Sequence, residues 1–288
     1  MAEAGTLAPS LSFIDRSFTD RDLQHYKLLV SLGPRRATFA AIRSANTQLI
    51  AMGDVPLDVR DTPEQFPVAA LFDLFPWCRG AYGMTRIVLD TPRSTLVPEL
   101  FYDETAAHSI MCFNGRVEEG ENVAGEYISI LKAYTLYPAS LVLKEHILQH
   151  FPGSVIGHIT TPLIGGLLHF PVMTESRVFL HLRDDLIDIA VTANGTLRYF
   201  NTFTKQTKED VAYFLMFVLE QLALDPEKTD LRLLGRISRG DEVFGVLFRY
   251  IRTLSFPDPV DYFRELITPQ HINAGTYFPL LNILRCGS

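Results

Sequence analysis

Two histidines four residues apart, His146 and His150, are the first candidates for metal chemistry. On a helix this spacing lets two imidazoles share one zinc ion. A zinc-protease helix has glutamate directly after its first histidine, whereas this chain has Ile147 there. No third ligand follows at a suitable spacing. The pattern therefore favours a polar helix face, and we predict neither a metal site nor a catalytic residue in this chain.

Acidic clusters and a cysteine are the next candidates. Asp184 and Asp185 are adjacent, and Glu118, Glu119 and Glu121 stand close together. Adjacent residues in extended chain point to opposite faces, so neighbouring carboxylates do not converge on one ion. Cys78 has no nearby histidine that could activate its thiol, which favours a packing role. None of these groups predicts a reaction.

The composition restricts the classes of partner. The chain has 288 residues, a formal charge of −7 and 47% hydrophobic residues, which suits two hydrophobic cores and disfavours nucleic acid. Residues 1–9 lack the features of a secretory signal, and the most apolar stretch, 211–224, is too short to span a membrane. Three distant cysteines do not form a disulfide framework. We expect a cytoplasmic protein without membrane insertion.

Hydrophobic periodicity organises the first half. It predicts three successive strands, at residues 26–32, 37–43 and 47–53. Thr62 is the expected cap of a helix running towards Phe75, with Pro63 in its first turn and Pro67 able to delay its start. A short strand is predicted at residues 86–90.

The same order recurs in the second half. Three strands are predicted at residues 178–182, 186–192 and 196–203. Asn194-Gly195 predicts a type I′ hairpin because both residues tolerate positive φ. Thr207 is the expected cap of a helix to about residue 224, with Glu209 and Asp210 in its first turn. A buried strand at 231–234 ends at Gly235.

Three antiparallel strands, a helix and a strand, twice over, form the plan of the ribonuclease H-like fold. We predict an α/β chain of two tandem units in an actin-like ATPase fold with mixed sheets. Residues 1–22 are expected to be a partly ordered lead-in, 23–174 the first unit and 175–288 the second. Helices at 103–112, 138–150 and 162–169 and strands near 127–131 and 154–159 would complete the first unit.

Core positions follow from the same periodicity. The residues expected to be largely buried are Val30, Phe39, Ile42, Leu180, Ile187, Ile189, Leu215 and Leu233. The aromatic residues Tyr213, Phe214 and Phe217 of the second long helix are expected to fill the core as well.

Three short motifs carry a family resemblance. Residues 95–101 (TLVPELF), 197–203 (LRYFNTF) and 209–214 (EDVAYF) resemble an uncharacterised bacterial family with an actin-like ATPase fold. The likeness covers nearly the whole chain. The wider resemblance is to actin homologues of pilus assembly, type II secretion and cell division, several of which are scaffolds.

The resemblance implies a first phosphate loop after the first strand. Active relatives have Asp, one residue and Gly there, so that backbone N–H groups hold phosphate and the Asp supports hydrated magnesium. This chain retains Gly33 but has Ser31 in place of the Asp, and Pro34 removes an N–H donor. Arg35 follows in the turn.

The second and third signatures are also altered. The second loop of active relatives has a glycine run between two Asp residues, and here it reads His181-Leu182-Arg183-Asp184-Asp185-Leu186-Ile187-Asp188. Bulky and acidic side chains at the glycine positions would crowd or repel phosphate. The third signature, paired glycines near adenosine, reads Gly235-Arg236. The candidate degenerate nucleotide cleft thus comprises Ser31, Gly33, Arg35, His181, Arg183, Asp188, Gly235 and Arg236.

Two functions remain open from the sequence. One is a non-catalytic scaffold or regulatory protein that binds another cytosolic protein and needs no cofactor. The alternative is a sensor of nucleotides or anions, or a weak ATPase using ATP and magnesium in the inter-domain cleft. The arginines at positions 35, 36, 183 and 236 would bind anions in the second case and would be solvated turn residues in the first.

Overall fold

The computed structural model describes residues 7–58, 66–172, 176–258, 263 and 265–285. The chain divides into two compact units. The first comprises Met1–Pro162, Glu265–Gln270 and Cys286–Ser288, and the second comprises Leu163–Arg264 and His271–Arg285. The division after residue 174 expected from the sequence stays a prediction.

A six-stranded mixed sheet forms the centre of the first unit. Its strands are β1 (Leu11–Ile14), β2 (Tyr26–Leu32), β3 (Arg36–Arg43), β4 (Gln48–Pro56), β5 (Met84–Leu89) and β9 (Val155–His158). Their order is β1-β4-β3-β2-β5-β9. Strands β1 to β4 pair antiparallel, whereas β2, β5 and β9 run parallel. The lead-in therefore contains a strand that the sequence analysis missed.

One face of this sheet is covered by apolar packing. Helix α1 (Val68–Leu74) buries Leu71, and Phe75 lies against Gly53 of the sheet. The predicted cap Thr62 and Pro63 lie outside the described residues, but the described helix begins directly after Pro67. The strands β2 and β3 are buried on both faces, and the predicted core residues of this unit are buried with them: Val30, Phe39 and Ile42.

A three-stranded antiparallel sheet is inserted after β5. Its strands are β6 (Thr95–Pro98), β7 (Glu121–Ile128) and β8 (Ala133–Ser140), in the order β6-β8-β7. Three helices accompany them along the chain: α2 (Ala107–Asn114), α3 (Leu141–His150) and α4 (Thr160–Leu167). The helix predicted from residue 138 was placed too early, since Pro138 pairs with Val123 in a strand.

The second unit contains a five-stranded mixed sheet. Its strands are β10 (Arg177–Leu182), β11 (Leu186–Ala193), β12 (Thr196–Thr204), β13 (Asp230–Gly235) and β14 (Thr253–Ser255), in the order β12-β11-β10-β13-β14. Asn194 and Gly195 have φ values of 52° and 73°, which confirms the predicted type I′ hairpin. The predicted β-β-β-α-β order is confirmed.

Helix α5 (Lys208–Gln221) connects the hairpins to β13. Its N-terminus has a capping box between Thr207 and Asp210, as the sequence predicts. Among the described residues that follow it are the shorter helices α6 (Glu242–Leu247) and α7 (Phe278–Asn282). The predicted core residues of this unit are buried: Leu180, Ile187, Ile189, Leu215 and Leu233.

The aromatic residues of α5 do not all fill the core. Phe214 is half-buried and stacks on Phe203. Tyr213 and Phe217 are exposed, because they lie on the solvent side of the helix while Leu215 and Val218 face the sheet. The core-filling prediction was wrong for these two residues.

The two sheets repeat the same local geometry. In each unit the second and third hairpin strands change register at an equivalent point, after Ala41 in β3 and after Val191 in β11. Strands β4 and β12 both have nine residues. This repetition confirms two ribonuclease H-like units with mixed sheets. Among the described residues, no helix is long and apolar enough to cross a membrane.

Candidate functional site

A row of polar side chains crosses three strands of the second unit. His181 of β10 pairs with Asp188 of β11, which in turn pairs with Thr202 of β12. The His181 Nδ1–H donates to Asp188 Oδ2 at 2.9 Å, and Thr202 Oγ1–H donates to Oδ1 at 2.7 Å. Arg183 Nη2–H donates to the same Oδ1 at 2.7 Å. The Asp188 carboxylate therefore accepts bonds from side chains of the protein on both oxygens.

The electrostatic state of Asp188 follows from these contacts. Burial opposes ionisation, but the Arg183 guanidinium and the bond from His181 outweigh it and lower the pKa of Asp188 to about 2. The carboxylate is therefore an anion at neutral pH. Its negative charge is matched inside the protein by the charge of Arg183.

Arg183 does not behave as a solvated turn residue. It is only 7% exposed, although it occupies the turn between β10 and β11. Its neighbour Asp184 is exposed and Asp185 is half-buried. Because Asp188 is buried beneath the turn, it draws the guanidinium inward, and the expectation of a solvated side chain is wrong here. The side chain that replaces a glycine of the second phosphate signature thus binds the trailing aspartate of that signature.

Gly235 and Arg236 lie beside the same row. The Gly235 φ is +83°, and a Cβ there would come within 2.2 Å of the Leu182 carbonyl oxygen and 2.9 Å of a His181 ring carbon. The Arg236 N–H donates to that carbonyl at 2.7 Å, and its side chain lies 3.8 Å from an Asp184 oxygen. The structure therefore brings the five predicted residues of this unit together at the carboxyl ends of β10 and β13.

The first unit has an equivalent row of polar side chains. Its aspartate lies on the third hairpin strand, β4, whereas Asp188 lies on the second hairpin strand of its unit, β11. Ser31, Thr38 and Asp54 pair across β2, β3 and β4. Asp54 is buried and accepts bonds from Thr38 Oγ1 at 3.0 Å, Ser10 Oγ at 3.0 Å and Arg36 Nη1 at 3.3 Å. This second internally matched carboxylate was not predicted, because its partners come from β3 and from the residue directly before β1, and the register of these two neighbouring strands is not a local signal.

The remaining predicted residues of the first unit lie at the following turn. Gly33 exchanges backbone bonds with Arg36, and a Cβ at Gly33 would lie 2.8 Å from the Asp90 carbonyl oxygen. Arg35 is half-exposed and its Nη1–H donates to Asp58 Oδ1 at 2.9 Å. Arg35 therefore has an acidic partner of its own.

The sequence analysis also missed residues after the parallel strands β5 and β9. Asp90 directly follows β5, and its N–H donates to the Leu32 carbonyl at 2.7 Å. His158 ends β9, is buried, and contacts the Thr91 hydroxyl at 3.0 Å. Their position in the sequence could have identified them, because ligands of open α/β sheets bind at the carboxyl ends of parallel strands.

The other candidate groups form no site. His146 and His150 are half-buried, and the His150 Nδ1–H donates to the His146 carbonyl at 2.9 Å. Burial raises the pKa of the Cys78 thiol, which makes a thiolate unfavourable. Glu121 pairs with Arg93. Within the described ranges, no group of three or more histidine, cysteine or acidic residues could hold a metal ion. Cys286 lies outside those ranges.

Comparisons with known proteins identify a family and similar folds. A family model described as "Protein of unknown function (DUF3822)" matches residues 15–254. A Bacteroides thetaiotaomicron protein with an actin-like ATPase fold and unknown function superimposes with a TM-score of 0.77 at 18% identity, covering 93% of this chain and 99% of that one. A chain of the PilM-PilN type IV pilus biogenesis complex gives 0.56 at 13% identity, covering 90% and 98%. No curated protein matches. The predicted actin-like fold and the predicted family resemblance are confirmed.

Proposed function

The chain belongs to the DUF3822 family of proteins of unknown function, and from this premise we propose that it is a non-catalytic scaffold or regulatory protein of the bacterial cytoplasm. Its nucleotide signatures serve to stabilise the fold, and its function is to bind another protein. The observation that carries the proposal is the complete internal pairing of Asp188 by Arg183, His181 and Thr202.

The residues present fit magnesium and ATP poorly. A carboxylate that supports hydrated magnesium must accept bonds from the water molecules of the ion. Asp188 is 2% exposed, and both its oxygens are engaged by protein donors. Releasing it would break the buried ion pair between Arg183 and Asp188, which costs several kcal/mol. These facts support a site that does not carry out phosphoryl transfer.

The two retained glycines have structural reasons to be there. Gly235 has a positive φ and touches the Leu182 carbonyl, and Gly33 closely approaches the Asp90 carbonyl. A side chain at either position would clash with backbone, with or without a nucleotide. Their retention is therefore explained by packing and does not argue for phosphate binding.

One similar structure and the surface of this chain support a protein partner. One similar structure is of the PilM-PilN complex, in which a chain of this fold occurs in an assembly. Several exposed apolar side chains of this chain also have no core role, among them Leu100, Phe101, Phe113 and Tyr213. Such side chains support a protein partner where they lie next to one another, as Tyr213 and Phe217 do one turn apart on α5.

Thermal unfolding with ligand tests the proposal. A ligand that binds only the folded state stabilises it by about 2.7 kcal/mol at a hundredfold excess over its Kd. We expect no shift of Tm with millimolar ATP, ADP or phosphate at low salt. A shift that disappears in Arg183→Ala and persists in Arg249→Ala would instead favour the nucleotide or anion sensor. Arg249 is the matched arginine because it lies after α6, outside the row.

A further inference from the structure

Strand β12 presents a long backbone edge. It pairs with β11 on one side, and no described residue forms a ladder on its other side. The Lys205 N–H points inward to the Asp185 carbonyl, so alternation directs the N–H groups of Thr204 and Thr202 outward. The Thr202 N–H is accepted by the side-chain oxygen of the adjacent Asn201 at 2.9 Å. A side chain thus stands where the carbonyl of another strand would bind.

The equivalent edge of the first unit shows what such a strand accepts. There β4 is covered by β1, which pairs antiparallel from Leu11 opposite Asp54 to Ile14 opposite Ala51. In β1, half-buried Leu11 and Phe13 alternate with exposed neighbours. The occupant of this edge is therefore a short extended segment with apolar residues at alternate positions.

Helix α5 provides apolar surface beside the open edge. Phe214 stacks on Phe203 of β12 at 4.5 Å between ring centroids, and Tyr213 packs on Phe214 at 5.3 Å. Tyr213 is 64% exposed, and Phe217 one turn later is 43% exposed. A strand added to β12 would direct alternate side chains towards these rings, as in other cases of strand addition.

The charge of the edge favours an acidic occupant. Arg198 is the charged residue of β12, it is exposed, and no described residue forms an ion pair with it. Pairing with a second β12 would bring two positive strands together without a compensating acid. An acidic side chain in the added strand would instead pair with Arg198.

We propose that β12, together with Tyr213 and Phe217, binds an extended segment of a protein partner as an added strand. The segment has apolar residues at alternate positions and an acidic residue that pairs with Arg198. This inference rests on the proposed scaffold function and names the surface through which that function is exercised.

A labelled peptide tests the proposal on the full chain. The probe is a fluorescent synthetic peptide with the sequence of residues 9–15, PSLSFID, which has the required alternation and an acidic end. We expect saturable binding, and slower hydrogen exchange at the outward amides of β12. A peptide with serine in place of its leucine and phenylalanine should not bind. Absence of binding at millimolar peptide, or protection at β4 without protection at β12, would overturn the proposal.

Variants locate the binding surface. Thr204→Pro removes an outward N–H at an exposed position and leaves the inward ladder intact. Tyr213→Ala removes an exposed ring and does not depend on how the strand tolerates proline. Each should weaken binding about tenfold, or about 1.4 kcal/mol, and Arg198→Glu should weaken it too. Phe113→Ala, which removes an exposed ring of α2, should bind as the wild type does. Unchanged affinity in both Thr204→Pro and Tyr213→Ala would contradict the assignment.

Two further measurements are needed. One distinguishes a partner segment from a second copy of this chain, and the other distinguishes failure of this surface from failure of the scaffold proposal. Sedimentation velocity that shows a dimer lost in Thr204→Pro would identify a second copy as the occupant and overturn the choice of a partner segment. Failure of the peptide to bind, together with absent ATP turnover, would overturn this surface while leaving the scaffold proposal intact. ATP turnover would reject the scaffold proposal whatever the peptide does.

Discussion

Arg183 and Asp188 form a buried ion pair at the first turn of the second unit, with 2.7 Å between Nη2 and Oδ1. Both residues lie in the stretch 181–188 that the family resemblance relates to the second nucleotide loop. Here the arginine neutralises the aspartate, and the pair joins the turn to strand β11. The account of this protein as a scaffold depends on that pairing.

Removing the acid of this pair should destabilise the protein strongly. Asp188→Asn removes the buried carboxylate to which Arg183, His181 and Thr202 donate, and we expect a loss of about 3–5 kcal/mol in the free energy of unfolding. Urea denaturation measures this loss. Asp184→Asn in the same turn is the control. Because Asp184 is exposed, its change should stay within about 0.5 kcal/mol. Equal effects of the two variants would show that Asp188 is not the buried partner.

The same pair should make the free energy of unfolding depend on pH. The pKa of Asp188 falls from 3.8 to about 2 in the folded protein. Its contribution is therefore fully present above about pH 4 and is lost as the pH falls towards 2, amounting to about 2 kcal/mol. Urea unfolding between pH 5 and pH 2 should show this decline in the wild type and a shallower one in Asp188→Asn. Parallel pH profiles would contradict the lowered pKa.

Gly235 should tolerate no side chain. Gly235→Ala forces a Cβ to within 2.2 Å of the Leu182 carbonyl oxygen in a backbone with φ of +83°. We expect a loss of at least about 2 kcal/mol in unfolding free energy, because strain and clash add. Gly240→Ala is the matched control, since no heavy atom lies within 4 Å of its Cβ position. A stable Gly235→Ala would show that this glycine is retained for another reason.

The cap of α5 should contribute a moderate stabilisation. The Thr207 side chain accepts the Asp210 N–H at 3.2 Å, and the Asp210 carboxylate accepts the Thr207 N–H at 2.9 Å. Thr207→Ala should lower the unfolding free energy by about 1 kcal/mol. Thr204→Ala, at an exposed position just before the helix, should change it less. If both variants unfold alike in urea, the capping box does not stabilise the helix.

Local signals were enough to predict the repeated part of the fold. Asn194-Gly195 specifies a hairpin because both residues accept positive φ, and Thr207 marks a helix start through a hydroxyl three residues before an acid. These features depend on a few neighbouring residues. The three hairpin strands of each unit could therefore be placed within a few residues of their observed ends, whereas β1, β6, β8 and β14 were not predicted.

Pro138 shows where local signals fail. The sequence predicts a helix from residue 138, a position at which proline is compatible with a first helical turn. Pro138 lies instead in β8, the middle strand of its sheet. Strand β6 pairs only with residues 133–136 of β8, so that side of Pro138 needs no N–H donor. Pairing with β7 places Pro138 in a strand, and no pattern among its sequence neighbours predicts that pairing.

The sequence predicted that the residues of the candidate site lie near one another, but it did not predict their contacts. The signature comparison singled out Arg183 and Asp188, yet their bond depends on the turn folding back over β11. The sequence also did not predict that the carboxylate and the threonine hydroxyl exchange strands between the two rows. Thr38 opposes Asp54 in the first unit, whereas Asp188 opposes Thr202 in the second. Register between strands, set by the whole sheet, brings these side chains together.

Steady-state ATP hydrolysis with magnesium tests the central claim most directly. Purified full-length protein should show no turnover above the background of a matched empty-vector preparation, whereas enzymes have a median kcat of about 10 per second. Ser31→Asp should not restore activity, because the glycine run of the second loop would still be absent. Magnesium-dependent turnover by the wild type that is lost in Arg183→Ala or Asp188→Ala would contradict the account.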